Sequence, residues 1–94
     1  MIEVGILQIT LFIRGAHSLK EKRKVVRSVV DRLRSRFNVS IAEVDDHDLW
    51  QKATIGMAAV ASDSQHVRQR LESIVNYLYQ YPAAELVDHQ IDIL

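Results

Sequence analysis

The strongest constraint in this sequence is a pair of long runs without a charged residue. One extends from Val4 to Ile13 and the other from Ala53 to Ser62. Both are rich in β-branched and other apolar residues, which predicts strands over about residues 2–13 and 52–62. Each run is followed by a segment whose apolar residues recur at helical spacing. The predicted fold therefore contains two strand–helix units, one after the other along the chain.

The segment after the first run is predicted to be a helix over about residues 19–36. Ser18 and Glu21 have the spacing of a capping box, in which each side chain satisfies a backbone N–H near the helix start. The second helix has N-cap candidates at residues 62–64. It ends before Pro82, the one proline of the chain, because proline cannot continue a helix.

Two further segments are predicted to be strands, and they carry more charge than the first pair. They cover residues 39–46, VSIAEVDD, and residues 84–94, AELVDHQIDIL. The second of these alternates between apolar and polar residues, which is typical of a half-exposed strand. The alternation assigns four residues to its buried face: Val87, His89, Ile91 and Ile93.

The element order β-α-β-β-α-β is that of the ferredoxin-like fold. We therefore expect one α+β domain over residues 1–94. It should have a four-stranded antiparallel sheet of order 4-1-3-2 with both helices on one face. The two uncharged runs suit the central strands. The acids of the other two strands suit the edges, where charge opposes association between sheets; they are Glu43, Asp45, Asp88 and Asp92.

The composition and motifs exclude several classes of protein. The 94 residues include no cysteine, so the chain has no disulfide, thiolate metal site or cysteine nucleophile. The N-terminal stretch MIEVGILQI has no basic region of a signal peptide, and no apolar run approaches the length of a membrane span. No phosphate-loop, dinucleotide-binding, hydrolase or metalloprotease motif occurs. We expect a cytoplasmic protein that is not an enzyme, with no catalytic residues, no cofactor and no membrane contact.

The net charge is zero, but the charges are separated along the chain. Residues 14–36 hold nine Lys/Arg and two acids, a charge of +7, and the remaining residues carry −7. Many basic side chains of the first helix fall within one arc of about 100°, opposite its apolar stripe. The members of this arc are Lys20, Arg23, Lys24, Arg27 and Arg34. They are the predicted nucleic-acid-binding residues, since each would add a salt-dependent contact to phosphate.

Two other interpretations of this arc stay open. The basic side chains could bind an acidic protein surface, including that of a second copy, or they could only cover the helix with solvated charge. Asp31 interrupts the arc. No aromatic residue lies within it, so base stacking is not indicated.

The acid-rich connection after the second strand is a weaker candidate site. Residues 45–48, Asp-Asp-His-Asp, are side-chain types that a hard cation accepts as ligands. Neighbours on an extended strand point to opposite faces, however, so these side chains are not expected to converge. We therefore predict no metal site, and we expect Trp50 nearby to be a packing residue.

The first strand has apolar residues on both of its faces. Leu7, Ile9, Leu11 and Ile13 alternate with Val4, Ile6 and Phe12. The helices of the predicted fold cover one face of the sheet, and an exposed apolar face tends to mark a protein–protein contact. We therefore expect a homodimer or a higher oligomer. The alternative is that loops and long side chains cover this face.

The sequence also resembles a known family. HSLKEKRKVVRSVVDRLRSRFNVSIAEVD, followed by DLWQKA and IGMAAVASD, is similar to the YlxP-like family of small bacterial proteins. The likeness extends over about residues 2–93 and is tightest at Ser18–Arg23 and Glu43–Lys52. It implies a ferredoxin-like fold and a family without an established activity. Genes of this family tend to lie beside those for transcription termination, translation initiation and ribosome-binding factor A, which implies work near the ribosome.

Two hypotheses of function remain, from different classes. The first is a non-enzymatic module that associates with ribosomal RNA or the ribosome through the basic arc. The alternative is an oligomeric protein-interaction or small-molecule-binding module of ACT-like layout, supported by Gly15 in the loop before the first helix. An acylphosphatase-like enzyme is disfavoured. Arg14 lies in the appropriate loop, but the third strand has no asparagine.

Overall fold

The computed structural model describes residues 1–94 and contains the six predicted elements in the predicted order. Both ends of every strand lie within one residue of the predicted bounds. The charged and turn residues that flank each predicted strand are also the residues at which the strand stops. The elements are β1 (Glu3–Phe12), α1 (Leu19–Arg36), β2 (Ser40–Asp45), β3 (Lys52–Ala61), α2 (Ser64–Tyr79) and β4 (Glu85–Ile93).

The four strands form one antiparallel sheet. β1 pairs with β3 and β4, and β3 also pairs with β2, so the strand order is β2-β3-β1-β4. This is the predicted order 4-1-3-2 counted from the other edge. The uncharged runs are the central strands, where Ile6 of β1 lies opposite Ala58 of β3. The predicted α+β ferredoxin-like fold is confirmed.

The hydrophobic core lies between the helices and one face of the sheet. Alternate residues of β1 and β3 are buried on this face, where α1 packs over β2 and α2 packs over the other three strands. The helices contribute the apolar stripes whose spacing predicted them: Val26, Val29 and Leu33 from α1, and Val67, Leu71, Ile74, Val75 and Leu78 from α2. Neither helix is long and apolar enough to cross a membrane.

A glycine lies where α2 crosses β1. Gly5 is buried, and a Cβ at this position would overlap Val67 Cγ1 and lie 3.0 Å from Leu71 Cδ1. Glycine in a strand often marks such a close approach. Its missing side chain lets α2 pack directly on the sheet.

Both helices begin at side-chain caps. Ser18 Oγ accepts a hydrogen bond from Glu21 N at 3.1 Å, and Glu21 Oε1 accepts one from His17 N at 3.2 Å. Glu21 therefore reaches one residue beyond the N-cap, whereas a capping box closes on the cap residue itself. α2 is capped by Asp63, whose Oδ1 accepts from His66 N at 2.9 Å.

The orientation of β4 differs from the prediction. Its register with β1 shifts near the start of the strand, so Leu86 is buried and Val87 is 53% exposed. A bulge of one residue reverses the side-chain alternation on one side of it. His89 is exposed, with its ring 6.5 Å from that of Tyr79. The assignment of Val87 to the buried face was therefore wrong, whereas His89 lies opposite Ile9 on the helix-covered face, as predicted, but is exposed there.

Candidate functional site

The five residues of the basic arc all lie on the solvent side of α1, and we call this surface the basic face. Lys20, Arg23, Lys24, Arg27 and Arg34 are all exposed. The first four form no ion pair with any carboxylate of the chain. Their charges are therefore available to a partner molecule.

Arg34 differs from the other members of the basic face. Its guanidinium lies 4.0 Å from Asp31 and donates a 3.4 Å hydrogen bond to the carbonyl oxygen of Ile41. Both contacts are long and the side chains are mostly exposed, so they contribute little to stability. These contacts nevertheless direct Arg34 towards β2, so its charge is less available to a partner molecule than the charges of the other four residues.

Two other arginines of α1 point away from the basic face. The guanidinium carbon of Arg32 lies 6.0 Å from the ring centre of Tyr81, and that of Arg36 lies 4.6 Å from the ring centre of Tyr77. Both distances are in the range of cation–π attraction. These arginines pack over the end of α2, so the free charge is concentrated towards the start of α1.

The start of a helix is an unfavourable place for cations, because the helix dipole is positive there. The first turn of a helix has a positive potential from its free N–H groups, and a cation there costs about 0.3–1 kcal/mol. Lys20 stands in this turn, where Glu21 is the one acid, and Arg23 and Lys24 follow at once. Helix stability therefore does not explain why these residues are basic. An anion near the start of α1 would be attracted both by the side chains and by the helix dipole.

Lys22 is the one lysine or arginine of α1 that lies on the core side of the helix. It is fully buried, although it stands between exposed Glu21 and Arg23. Its Nζ lies 2.9 Å from Glu43 Oε2 and donates a 2.6 Å hydrogen bond to the carbonyl oxygen of Asp46. Glu43 Oε2 is buried, and Lys22 is its one partner. The charge of Lys22 is neutralised inside the protein and is lost to the basic face.

Asp46 connects Lys22 to the end of the sheet. Its backbone has φ of 60°, a left-handed conformation that Asp and Asn adopt more readily than most residues. Its Oδ2 accepts a 2.6 Å hydrogen bond from Thr54 Oγ1 and lies 3.5 Å from Lys52 Nζ. We call these five residues, Lys22, Glu43, Asp46, Lys52 and Thr54, the Lys22 cluster.

The Lys22 cluster changes the acidity of Asp46. The hydrogen bond donated by Thr54 stabilises the carboxylate most, and the positive charges of Lys52 and Lys22 add to this effect. Partial desolvation opposes them. The net result holds the pKa of Asp46 below its ordinary value of 3.8.

The Lys22 cluster joins two stretches that lie far apart in the sequence. Lys22 comes from Ser18–Arg23, and the acids come from Glu43–Lys52. These are the two stretches in which the resemblance to the YlxP-like family is tightest. The helical period could have identified Lys22, because it lies at about the same angle around α1 as Val29. The cluster attaches the start of α1 to the turn between β2 and β3.

The loop before α1 gives no support to an ACT-like ligand site. Gly15 has no positive φ, and a Cβ at this position would meet nothing within 4 Å. The side-chain amide of Gln51 donates to the carbonyl oxygens of Arg14 and Ala16 at 3.0 Å each. The loop is thus held by the β2–β3 turn and does not require glycine.

Asp45 and Asp46 of the acid-rich connection accept hydrogen bonds within the protein, whereas Asp48 is exposed and accepts none. Asp45 Oδ1 accepts from the backbone N–H of Asp46 at 2.8 Å, and the ring of His47 contacts the carbonyl oxygen of Glu43 at 3.2 Å. Nowhere in the structure do three such side chains meet in a group suited to a metal ion. Trp50, expected to be a packing residue, is 54% exposed.

Comparison with known proteins identifies the family of this chain. A family model described as "Protein of unknown function (DUF503)" matches residues 4–91. The chain is 34% identical over 82 residues to the "Uncharacterized protein YlxP" of Bacillus subtilis (strain 168), an alignment that covers 87% of this chain and 89% of that protein. Neither description states an activity. The matched region includes both helices, β2, β3 and all but the outer ends of β1 and β4, and it contains the residues of the basic face and the Lys22 cluster. The chain therefore belongs to the DUF503 family, of which the YlxP-like proteins are members.

Proposed function

We propose that this protein is a non-enzymatic module that binds ribosomal RNA by contacting phosphates with the basic face of α1. The observation that carries the proposal is the set of four exposed cations without an intramolecular ion pair. These are Lys20, Arg23, Lys24 and Arg27. They follow one another along the first turns of one helix, so they can track a single stretch of nucleic-acid backbone.

The chemistry of the basic face favours RNA over an acidic protein. A protein interface has an apolar core within a polar rim. The exposed surface of α1 around Arg23 and Arg27 has no apolar or aromatic centre, and its side chains are long and flexible. Such a surface suits phosphates, which need charge and little shape complementarity. It also contacts phosphate without reading the bases, so we expect binding to depend on RNA structure and charge more than on sequence.

The salt dependence of binding tests this proposal. Each neutralised phosphate contributes about −0.7 to −0.9 to the slope of log K against log salt, so four contacts predict a slope of about −3. Fluorescence anisotropy with a labelled fragment of ribosomal RNA, and co-sedimentation with ribosomal subunits, would measure it from about 50 to 300 mM KCl. We expect the triple variant Lys20→Gln, Arg23→Gln, Arg27→Gln to reduce the slope to about −1.

A matched pair of variants separates the basic face from net charge. Arg27 on α1 and Arg68 on α2 are both exposed, and neither forms an ion pair. Arg27→Gln should weaken binding, and Arg68→Gln, with the same loss of charge, should not. Equal effects of the two substitutions, or no binding of the wild type at the lowest salt, would contradict the proposal.

A further inference from the structure

The face of the sheet that the helices leave uncovered, here called the open face, has an uncharged centre in which apolar residues surround the polar Gln8 and Thr10 of β1. The outward residues of β1 and β3 there include Val4, Ile6, Ala58 and Val60, and the register places them beside one another. Ile6 is 37% exposed and Val60 is 55% exposed. Val44 of β2 extends the patch. Its Cγ1 would lie 3.1 Å from a Cβ placed on Gly56, so the side chain of Val44 covers that glycine.

The apolar surface continues to one end of the open face. The β2–β3 turn places Leu49 and Trp50 beside Phe12 and Val87, around an open groove of about 660 Å³. Leu49, Trp50 and Val87 are each about half exposed, at 43%, 54% and 53%. Tryptophan is one of the residues most often found as an anchor of protein interfaces.

Charges on the open face lie at its margins. Asp88 and Asp92 stand on the outermost strand, β4, opposite Thr10 and Ile6 of β1. Lys52 stands at the start of β3. Between these margins β1 and β3 have no charged residue. The open face thus has an uncharged, largely apolar centre that includes Gln8, and a charged rim, which is the layout of an interface.

We infer that the open face is the interface of a homodimer, in which the sheets of two copies stack with their helices outermost. The strand residues, 3–12, 40–45, 52–61 and 85–93, each cover about 3.3 Å by 4.8 Å, which gives a flat footprint of about 550 Å². The relief of the side chains and the Leu49–Trp50 turn add to this area. Specific interfaces bury about 600–1,000 Å² of each partner, so the open face with these additions reaches the lower end of that range. This inference does not depend on RNA binding.

A second copy suits the open face better than the oppositely charged surface of α1 would. The basic face has no apolar side chain to cover Ile6 and Val60, so a head-to-tail contact would leave them poorly packed. When two open faces stack, the apolar residues of one can pack against the apolar residues of the other. Their acidic margins repel, and salt screens that repulsion. The dimer should therefore hold or tighten as salt increases, whereas a contact between a basic and an acidic surface should weaken.

Molar mass in solution tests the inference. We expect light scattering after size-exclusion chromatography to give twice the 10.8 kDa of one chain for the wild type at about 100 μM. Ile6→Lys and Val60→Lys place a charge in the centre of the interface and should each give the mass of one chain. Tyr79→Lys is the matched control, because Tyr79 is 62% exposed on the helix side and should leave the mass unchanged. Circular dichroism checks that each variant is folded.

A distance measurement remains decisive even where a variant does not fold. The chain has no cysteine, so Ser35→Cys on exposed α1 accepts a single spin label. The sheets stack about 10 Å apart and each helix layer lies about 10 Å further out, so labels on the two α1 helices should be at least about 30 Å apart. A wild-type protein of single-chain mass at every salt concentration would overturn the inference. So would a dimer that dissociates as salt rises, a folded Ile6→Lys dimer, or labels within about 20 Å of each other.

Discussion

Lys22 shows how one side chain can contradict the charge pattern around it. It stands in a run of basic residues but is buried, because the helical period carries it to the core side of α1. Its ammonium group makes an ion pair with Glu43 and a hydrogen bond to the Asp46 carbonyl. A buried pair of this kind adds little net stability compared with apolar residues, but breaking one partner is costly. Its role is to fix where α1 begins relative to the β2–β3 turn.

Removing Lys22 alone should therefore destabilise the protein more than removing the pair. We expect Lys22→Met to lower the free energy of unfolding by about 3 kcal/mol, because it leaves Glu43 as a half-buried carboxylate without a cation. Adding Glu43→Leu should restore most of this loss. Urea denaturation followed by circular dichroism would measure both. Lys24→Met, on the exposed side of α1, is the control and should change stability by no more than about 0.5 kcal/mol. A loss as small as the control's would contradict this role.

The low pKa of Asp46 predicts a pH dependence of stability. The pKa in the folded protein is below the ordinary value of 3.8, so the unfolded chain binds this proton more readily. The stabilisation is complete above the unfolded pKa and is lost as pH falls through about 4 towards the folded pKa. We expect the free energy of unfolding, measured in urea between pH 6 and pH 3, to fall less steeply in Asp46→Asn. Asp48→Asn changes an exposed acid outside this hydrogen-bond network and should keep the wild-type pH profile.

At the scale of elements, the packing of α2 on β1 depends on one missing side chain. Val67 and Leu71 occupy the space above Gly5, so α2 lies closer to the sheet than a residue with a Cβ would allow. The core is close-packed, and α2 cannot move away without separating from β3 and β4 as well. Gly5 is therefore a packing requirement rather than a turn residue.

Gly5→Ala should accordingly destabilise the protein, by about 1–3 kcal/mol for an overpacked core position. Gly15→Ala is the matched control. Its Cβ meets nothing within 4 Å and its φ is not positive, so it should be neutral or stabilise by up to about 1 kcal/mol through the unfolded state. Thermal or urea unfolding of the two variants side by side would show the difference. Equal stability of the two variants would mean that α2 adjusts freely.

At the scale of the whole molecule, the basic face and the exposed acids of β4 lie on opposite sides of the sheet. The basic face lies on the outer side of α1, and Asp88 and Asp92 border the open face on the other side of the sheet. RNA binding should weaken with salt and dimerisation should not, so a salt series distinguishes the two proposals in one preparation. Stacked sheets would also place the two basic faces on opposite outer surfaces. A dimer could then contact two segments of RNA at once, without either surface obstructing the other.

The sequence by itself determined the elements, their order and the exposed arc of cations. Strand and helix periods and the cap at Ser18 are local properties, which the chain expresses wherever its apolar residues can be buried. The arc of Lys20, Arg23, Lys24 and Arg27 follows from the helical period in the same way. The strand order followed because few topologies accommodate two β-α-β units with uncharged central strands.

Only the tertiary structure decided which charges are free and which residues meet. Nothing local pairs Lys22 with Glu43, since the contact forms across two different elements. The bulge in β4 that exposes Val87 depends on its pairing with β1 and leaves no signal in the alternation. Trp50 lies on the open face because the β2–β3 turn, held by Gln51 and the Lys22 cluster, places it there. Contacts between distant segments are set by the packing of the whole chain, and sequence periodicity reports only on each segment alone.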